Sequence, residues 1–146
     1  MQSNSKRAAY IATILVVAIL VIDQIIKIEV KTNMHLHEMI DITSWFKINF
    51  VENSGMAFGM TFFNKLVLSI FRIVAISVIG VYLVKVVKKG MRLGYVICMS
   101  MVFAGAMGNM IDCMFYGLIF NASSAEYVSY FVPFGEGYAP FLMGKD

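Results

Sequence analysis

Three apolar runs, each long enough to cross the hydrocarbon core of a bilayer, leave this chain few folds to choose from. They cover roughly Ala8–Val30, Leu66–Val87 and Leu93–Phe120. A core of about 30 Å takes about 20 helical residues to cross. Lipid offers no water to backbone N–H and C=O groups, so a spanning segment pairs them internally. Runs of this length without strict alternation read as helices. The chain is 60% hydrophobic and 14% charged, with two prolines among 146 residues, and its mean hydropathy is +0.77. A soluble domain is poorer in apolar residues than this. The expected fold is mainly α: a single integral membrane domain over residues 1–146. Its three helices join through an outer β segment at about 35–63 and continue into an outer tail at 121–146.

The first run begins with Lys6 and Arg7, as a signal peptide would. It is too long for one and lacks a small-residue cleavage site, so it is expected to remain as a span. Lys85, Lys88, Lys89 and Arg92 crowd the short link between the second and third runs. By the positive-inside rule, that link and the N-terminus are cytoplasmic. The segment near 31–64 and the tail then face outward, where Glu38, Asp41 and Glu52 mix with Lys31, Lys47 and Lys65.

Within the outer segment, "SWFKINFVENSGMAFGMTFF" sets Phe46, Ile48 and Phe50 against Lys47 and Asn49. That period of two predicts a short strand, with Gly55 and Gly59 as turn or bulge points. Trp45 and the phenylalanines suit the membrane–water boundary. A small sheet there would hold Glu52 and Asn53 at the depth where the spans end. The tail at 121–146 reads as unanchored. Cys98 and Cys113 are fifteen residues apart on one expected helix, about 22 Å along its axis, too far for a disulfide. No residues have metal-ligand spacing, and His35 and His37 read as solvated. The basic residues flank the membrane, so nucleic acid is not an expected partner, whereas membrane lipid is.

Ionisable side chains inside a span are costly and usually face protein or a wet cavity. Asp23 and Lys27, at i and i+4, can pair on one helix face. The same spacing also suits a self-neutralising pair near the outer end. In the third run, Gly105, Gly108, Asn109 and Asp112 fall on nearby positions of one face. Ala104 and Gly108 form a small-xxx-small pair that admits a close backbone. Packing accounts for the glycines. It does not account for Asp112, whose charge needs a partner; Arg72 is one candidate.

Together, "DQIIK" at 23–27, "NFVENSGMAFG" at 49–59 and "GAMGNMID" at 105–112 resemble the motifs of the lipoprotein signal peptidase family, signal peptidase II. The resemblance implies a four-span membrane aspartic peptidase of the bacterial cytoplasmic (inner) membrane with an outer β-cradle. It implies cleavage of diacylglyceryl-modified prolipoproteins just before the lipidated cysteine, with no metal or organic cofactor. Carried over by motif, Asp23 and Lys27 support the site. Asn53 and Gly55 contact substrate or the antibiotic globomycin, and Gly108, Asn109 and Asp112 hold the site together. Cys113 stands where the family has Arg, so the resemblance leaves Asp112 without a guanidinium beside it.

The family's catalytic pair is an Asp in a V-V-D motif and another in an F-N-x-A-D motif opening the fourth span. Asp146 lies close to where the first is expected, although the two valines are missing. The second Asp and the fourth span are not among these residues. An aspartic dyad needs two carboxylates sharing a proton. The resemblance therefore implies a truncated or incompletely represented peptidase. The alternatives are a catalytically inactive membrane protein that binds lipidated peptides, and a small membrane scaffold. Oligomeric state is not legible.

Overall fold

The computed structural model describes residues 2–53 and 64–146. Their element order is α1 (Gln2–Asn33), β1 (Met39–Asp41), β2 (Lys47–Asn49), α2 (Lys65–Lys88) and α3 (Leu93–Ile119). All three helices are long and apolar enough to cross a membrane. The fold is mainly helical with one small two-stranded sheet. Each apolar run became a helix close to its expected bounds. Helix α1 starts well before Ala8, because the polar stretch from Gln2 to Arg7 contains no Pro or Gly to stop it.

The helix ends follow from local chemistry. Asn64 caps α2, its Oδ1 accepting from the Leu66 N–H at 3.0 Å. At the other end, Gly90 adopts a left-handed φ of 67°. The Gly90 N–H then reaches Val87 O at 3.1 Å and the Met91 N–H reaches Val86 O at 3.3 Å. This closure needs a residue without Cβ at Gly90.

The chain forms two compact units. The first comprises Met1–Gln24 and Ile70–Met110. Its core is Ala8, Ala12, Leu83, Val86, Val87 and Val96, with Met99 and Phe103 packed against them. Tyr82 and Tyr95 join their hydroxyls at 2.7 Å. Ile14 and Phe71 are two of many apolar side chains left exposed on the helices, as expected where the surrounding solvent is hydrocarbon.

The second unit comprises Ile25–Ser69 and Ile111–Asp146. Strands β1 and β2 pair antiparallel, Met39 with Asn49, Ile40 with Ile48 and Asp41 with Lys47. An exposed Lys47–Asp41 ion pair of 3.1 Å decorates the ribbon. Burial rises along the expected alternation, from exposed Phe46 through half-buried Ile48 to buried Phe50. Backbone bonds continue past the strands, from His37 N to Phe50 O at 2.8 Å and from Phe50 N to Glu38 O at 3.0 Å. Gly55 and Gly59 lie outside the described residues.

The tail corrects the sequence reading: it is anchored. It runs back along the end of α3 and donates to its carbonyls, including those of the last turn that the helix leaves open. Val132 N donates to Ile119 O at 2.8 Å, Gly135 N to Leu118 O at 3.0 Å, Ala139 N to Gly117 O at 3.0 Å and Gly144 N to Cys113 O at 2.9 Å. Glycines on both partners let the backbones approach. A Cβ at Gly117 would sit 2.6 Å from Ala139 O, and one at Gly137 would overlap Gly117 O. Ser69 Oγ adds a bond to Leu142 O at 2.6 Å.

Candidate functional site

In the second unit, α1 and α3 carry the two central charges. Lys27 Nζ donates to Asp112 Oδ2 at 2.6 Å. The Asp112 side chain is fully buried, whereas Lys27 keeps 26% of its surface exposed. The first helix therefore supplies a cation to Asp112. Cys113, where the resembled family has Arg, serves otherwise: its Sγ donates to Asp146 Oδ1 at 3.5 Å. Asp146 also faces Lys65 Nζ at 3.7 Å. Its backbone pairs reciprocally with Asn53, through Asn53 N to Asp146 O at 2.7 Å and Asp146 N to Asn53 O at 3.2 Å. Lys27, Asp112 and Asp146 line one cavity of about 160 Å³ together with Lys31, Glu52 and Tyr116.

A second charged centre sits where α1 ends. Lys31 is buried and reaches Glu52 Oε1 at 2.5 Å and Ser123 Oγ at 2.7 Å. Ser123 in turn donates to Glu52 Oε1. The Lys31 ammonium lies 5.9, 5.5 and 5.4 Å from the ring centres of Phe50, Phe120 and Tyr138, within cation–π range. Lys145 approaches the other Glu52 oxygen at 3.5 Å. Sequence reasoning placed Glu52 at this depth but took Lys31 only as a juxtamembrane charge. Its one signal was a cation in the last turn of a span, facing an acidic residue beyond the strand.

Burial alone would raise the Glu52 carboxyl. Hydrogen bonds from Lys31 and Ser123 and the charges of Lys31 and Lys145 outweigh it and hold the carboxyl below the ordinary 4.5. Burial pushes the Tyr138 phenol up to about 12, opposed by the Lys145 N–H bond and reinforced by Glu52, Cys113 and Asp112. A carboxyl lowered in the folded state stabilises the fold above its ordinary value, and that contribution is lost as pH falls through the lowered value. Acidification below about pH 4.5 should therefore loosen this centre. Unfolding followed from pH 6 downward should show a stability loss that Glu52→Gln, which lacks the ionisable group, does not share over that window. Parallel acid curves for the two proteins would refute the assignment.

In the first unit, Asp23 and Gly108 meet. A Cβ on Gly108 would lie 2.5 Å from Asp23 Oδ2 and 3.2 Å from its Cγ, so the glycine leaves room for a carboxylate. Gln24 Nε2 bridges the two residues, donating to Asp23 Oδ2 at 3.2 Å and to Gly108 O at 3.4 Å. Along α3, the row Ala104, Gly108 and Asp112 is buried, while the adjacent Gly105 and Asn109 are exposed. The expected polar face thus divides into two rows one residue apart.

A family model described as signal peptidase (SPase) II matches residues 15–141. The chain is similar to proteins named lipoprotein signal peptidase. That of Porphyromonas gingivalis is 46% identical over 132 residues, which cover 90% of this chain and 58% of the relative. That of Amoebophilus asiaticus is 36% identical over 119 residues, covering 76% and 50%, and that of Clostridium acetobutylicum is 34% identical over 116, covering 78% and 74%. The chain thus spans about half the length of the first two. No solved structure matches.

Proposed function

This chain belongs to the signal peptidase II family, and we propose that it builds the membrane frame of an aspartic endopeptidase that removes signal peptides from diacylglyceryl-modified bacterial prolipoproteins. The observation that carries this reading is the Lys27–Asp112 ion pair at 2.6 Å. It joins a residue of the first resembled motif to one of the third, beside a cavity that Asp146 also lines. The matches do not favour a mere scaffold.

In this reading Asp112 is a positioning residue, neutralised by Lys27 and unsuited to share a proton with a second carboxylate. Asp146 is the candidate catalytic carboxylate, held at the outer end of the frame by Asn53, Lys65 and Cys113. A dyad partner would activate water with it, one group as base and the other as acid. Among the 146 residues, the other aspartates are Asp23, Asp41 and Asp112. Asp41 is exposed and paired with Lys47. Asn53 and Gly55 would contact the peptide, and lipid would hold the diacylglyceryl tail. The protein would sit in the inner membrane with its N-terminus in the cytoplasm, since the cations crowd the link at 85–92.

In detergent, these residues are expected to bind a diacylglyceryl-modified prolipoprotein without cutting it, and globomycin should compete. Asn53→Ala should lower the affinity by roughly five- to hundredfold, the equivalent of about 1–3 kcal/mol for a lost hydrogen bond in a dry site. Equal affinity for both proteins would show partitioning of the lipid tail alone. Cleavage that disappears in Asp112→Asn would instead make Asp112 catalytic.

A further inference from the structure

We propose that the seam between α1 and α2 in the first unit binds one anionic glycerophospholipid, with an acyl chain in the seam and the phosphate against Lys88 and Lys89. The inference is independent of the peptidase reading. The seam is a cavity of about 350 Å³ whose walls include Ala9, Ala12 and Val16 on one side and Leu83 and Val87 on the other. Small residues on α1 open the space, and Phe103 of α3 also lines it. The hydroxyl of Thr13, another lining residue, donates to Ala9 O at 2.8 Å and so asks nothing of an occupant. Lys88 is the one charged group on the walls. An apolar slot with a cation at one end matches a lipid tail with its headgroup.

The surrounding charge selects the headgroup. A Cβ at Gly90 would lie 3.8 Å from Ser5 Oγ, so the turn of α1 bearing Lys6 and Arg7 adjoins the link bearing Lys85, Lys88, Lys89 and Arg92. None of these six forms an ion pair among the described residues. The first unit contains one carboxylate, Asp23. It lies sixteen residues beyond Arg7, about 24 Å along the helix. A second copy of the chain at the same depth would bring six more cations to the same end. A phosphate meets them with complementary charge, and lysine is a common phosphate binder. Each cation near an anionic lipid surface strengthens attraction by roughly fivefold.

Native mass spectrometry of the full chain, released from micelles with equal palmitoyl-oleoyl phosphatidylglycerol and phosphatidylcholine, tests this. One phosphatidylglycerol should be retained in preference to phosphatidylcholine. Lys88→Gln with Lys89→Gln should lower that preference by roughly 25-fold, two fivefold steps. Ala9→Phe should abolish retention with every cation in place. Ala9 is exposed, so the added ring fills the seam without entering the packed core, and unchanged helicity verifies the fold. Equal retention of both lipids by the parent chain would overturn the proposal. A preference that survives Ala9→Phe would reduce it to surface charge without a seam and would equally overturn it.

Discussion

Lys27→Met should destabilise the protein by about 3–5 kcal/mol, because it removes the cation 2.6 Å from a fully buried carboxylate. Asp112 has no exposed surface through which water could replace that charge. Its counterpart keeps a quarter of its side chain accessible, so Asp112→Leu should cost less: the freed ammonium can turn outward. The double variant Lys27→Met with Asp112→Leu should recover much of the first loss, since two apolar groups replace a buried pair at little net cost. Denaturant unfolding in one detergent, followed by helicity, gives all three values and the coupling between the sites. A neutral Lys27→Met would show that the ion pair does not hold α1 to the end of α3.

Gly137→Ala and Gly117→Ala should each peel the tail from α3. At Gly137 the new carbon overlaps Gly117 O and lies 2.7 Å from Gly117 C and 2.8 Å from Leu118 C. At Gly117 it meets Ala139 O at 2.6 Å and Ala139 Cβ at 2.8 Å. Backbone cannot step aside as a flexible side chain can, so the cost should approach the top of the usual overpacking range, about 3 kcal/mol. The bond from Ala139 N to Gly117 O would go with it. Chymotrypsin should then cut at Tyr130, Phe131 and Phe134 far faster than in the parent. Gly105→Ala, whose added carbon meets nothing within 4 Å, should leave the tail protected and serves as the control. Unchanged cleavage in Gly137→Ala would mean that the tail is not held by this contact.

The spans were legible because a helix in lipid writes itself as one long apolar run, and all three runs coincide with α1, α2 and α3. The strand around Ile48 was legible from alternation. Its partner Met39–Asp41 was not, since three residues are too short to show a period. The polar residues were legible as candidates, but not the long-range contacts they make. Lys27 meets Asp112, 85 residues away, and Asp23 meets Gly108. Such pairings depend on which helix faces come together, and local spacing carries no record of that. The tail was illegible for a related reason: its grip consists of backbone bonds and missing Cβ atoms, which leave no pattern of apolar residues.

Helix α3 has 27 residues and measures about 40 Å, roughly 10 Å more than a typical hydrocarbon core. The surplus corresponds to about seven residues, and the tail clasps α3 over a stretch of that length, from Cys113 to Ile119. That end of the helix cannot slide into a thicker bilayer, because it would carry the tail's polar backbone with it. The opposite end is fixed by the cationic link. Hydrophobic mismatch must therefore be absorbed by tilting α3 or by deforming the surrounding lipid, so acyl-chain length becomes a mechanical input to the cavity beside Asp112.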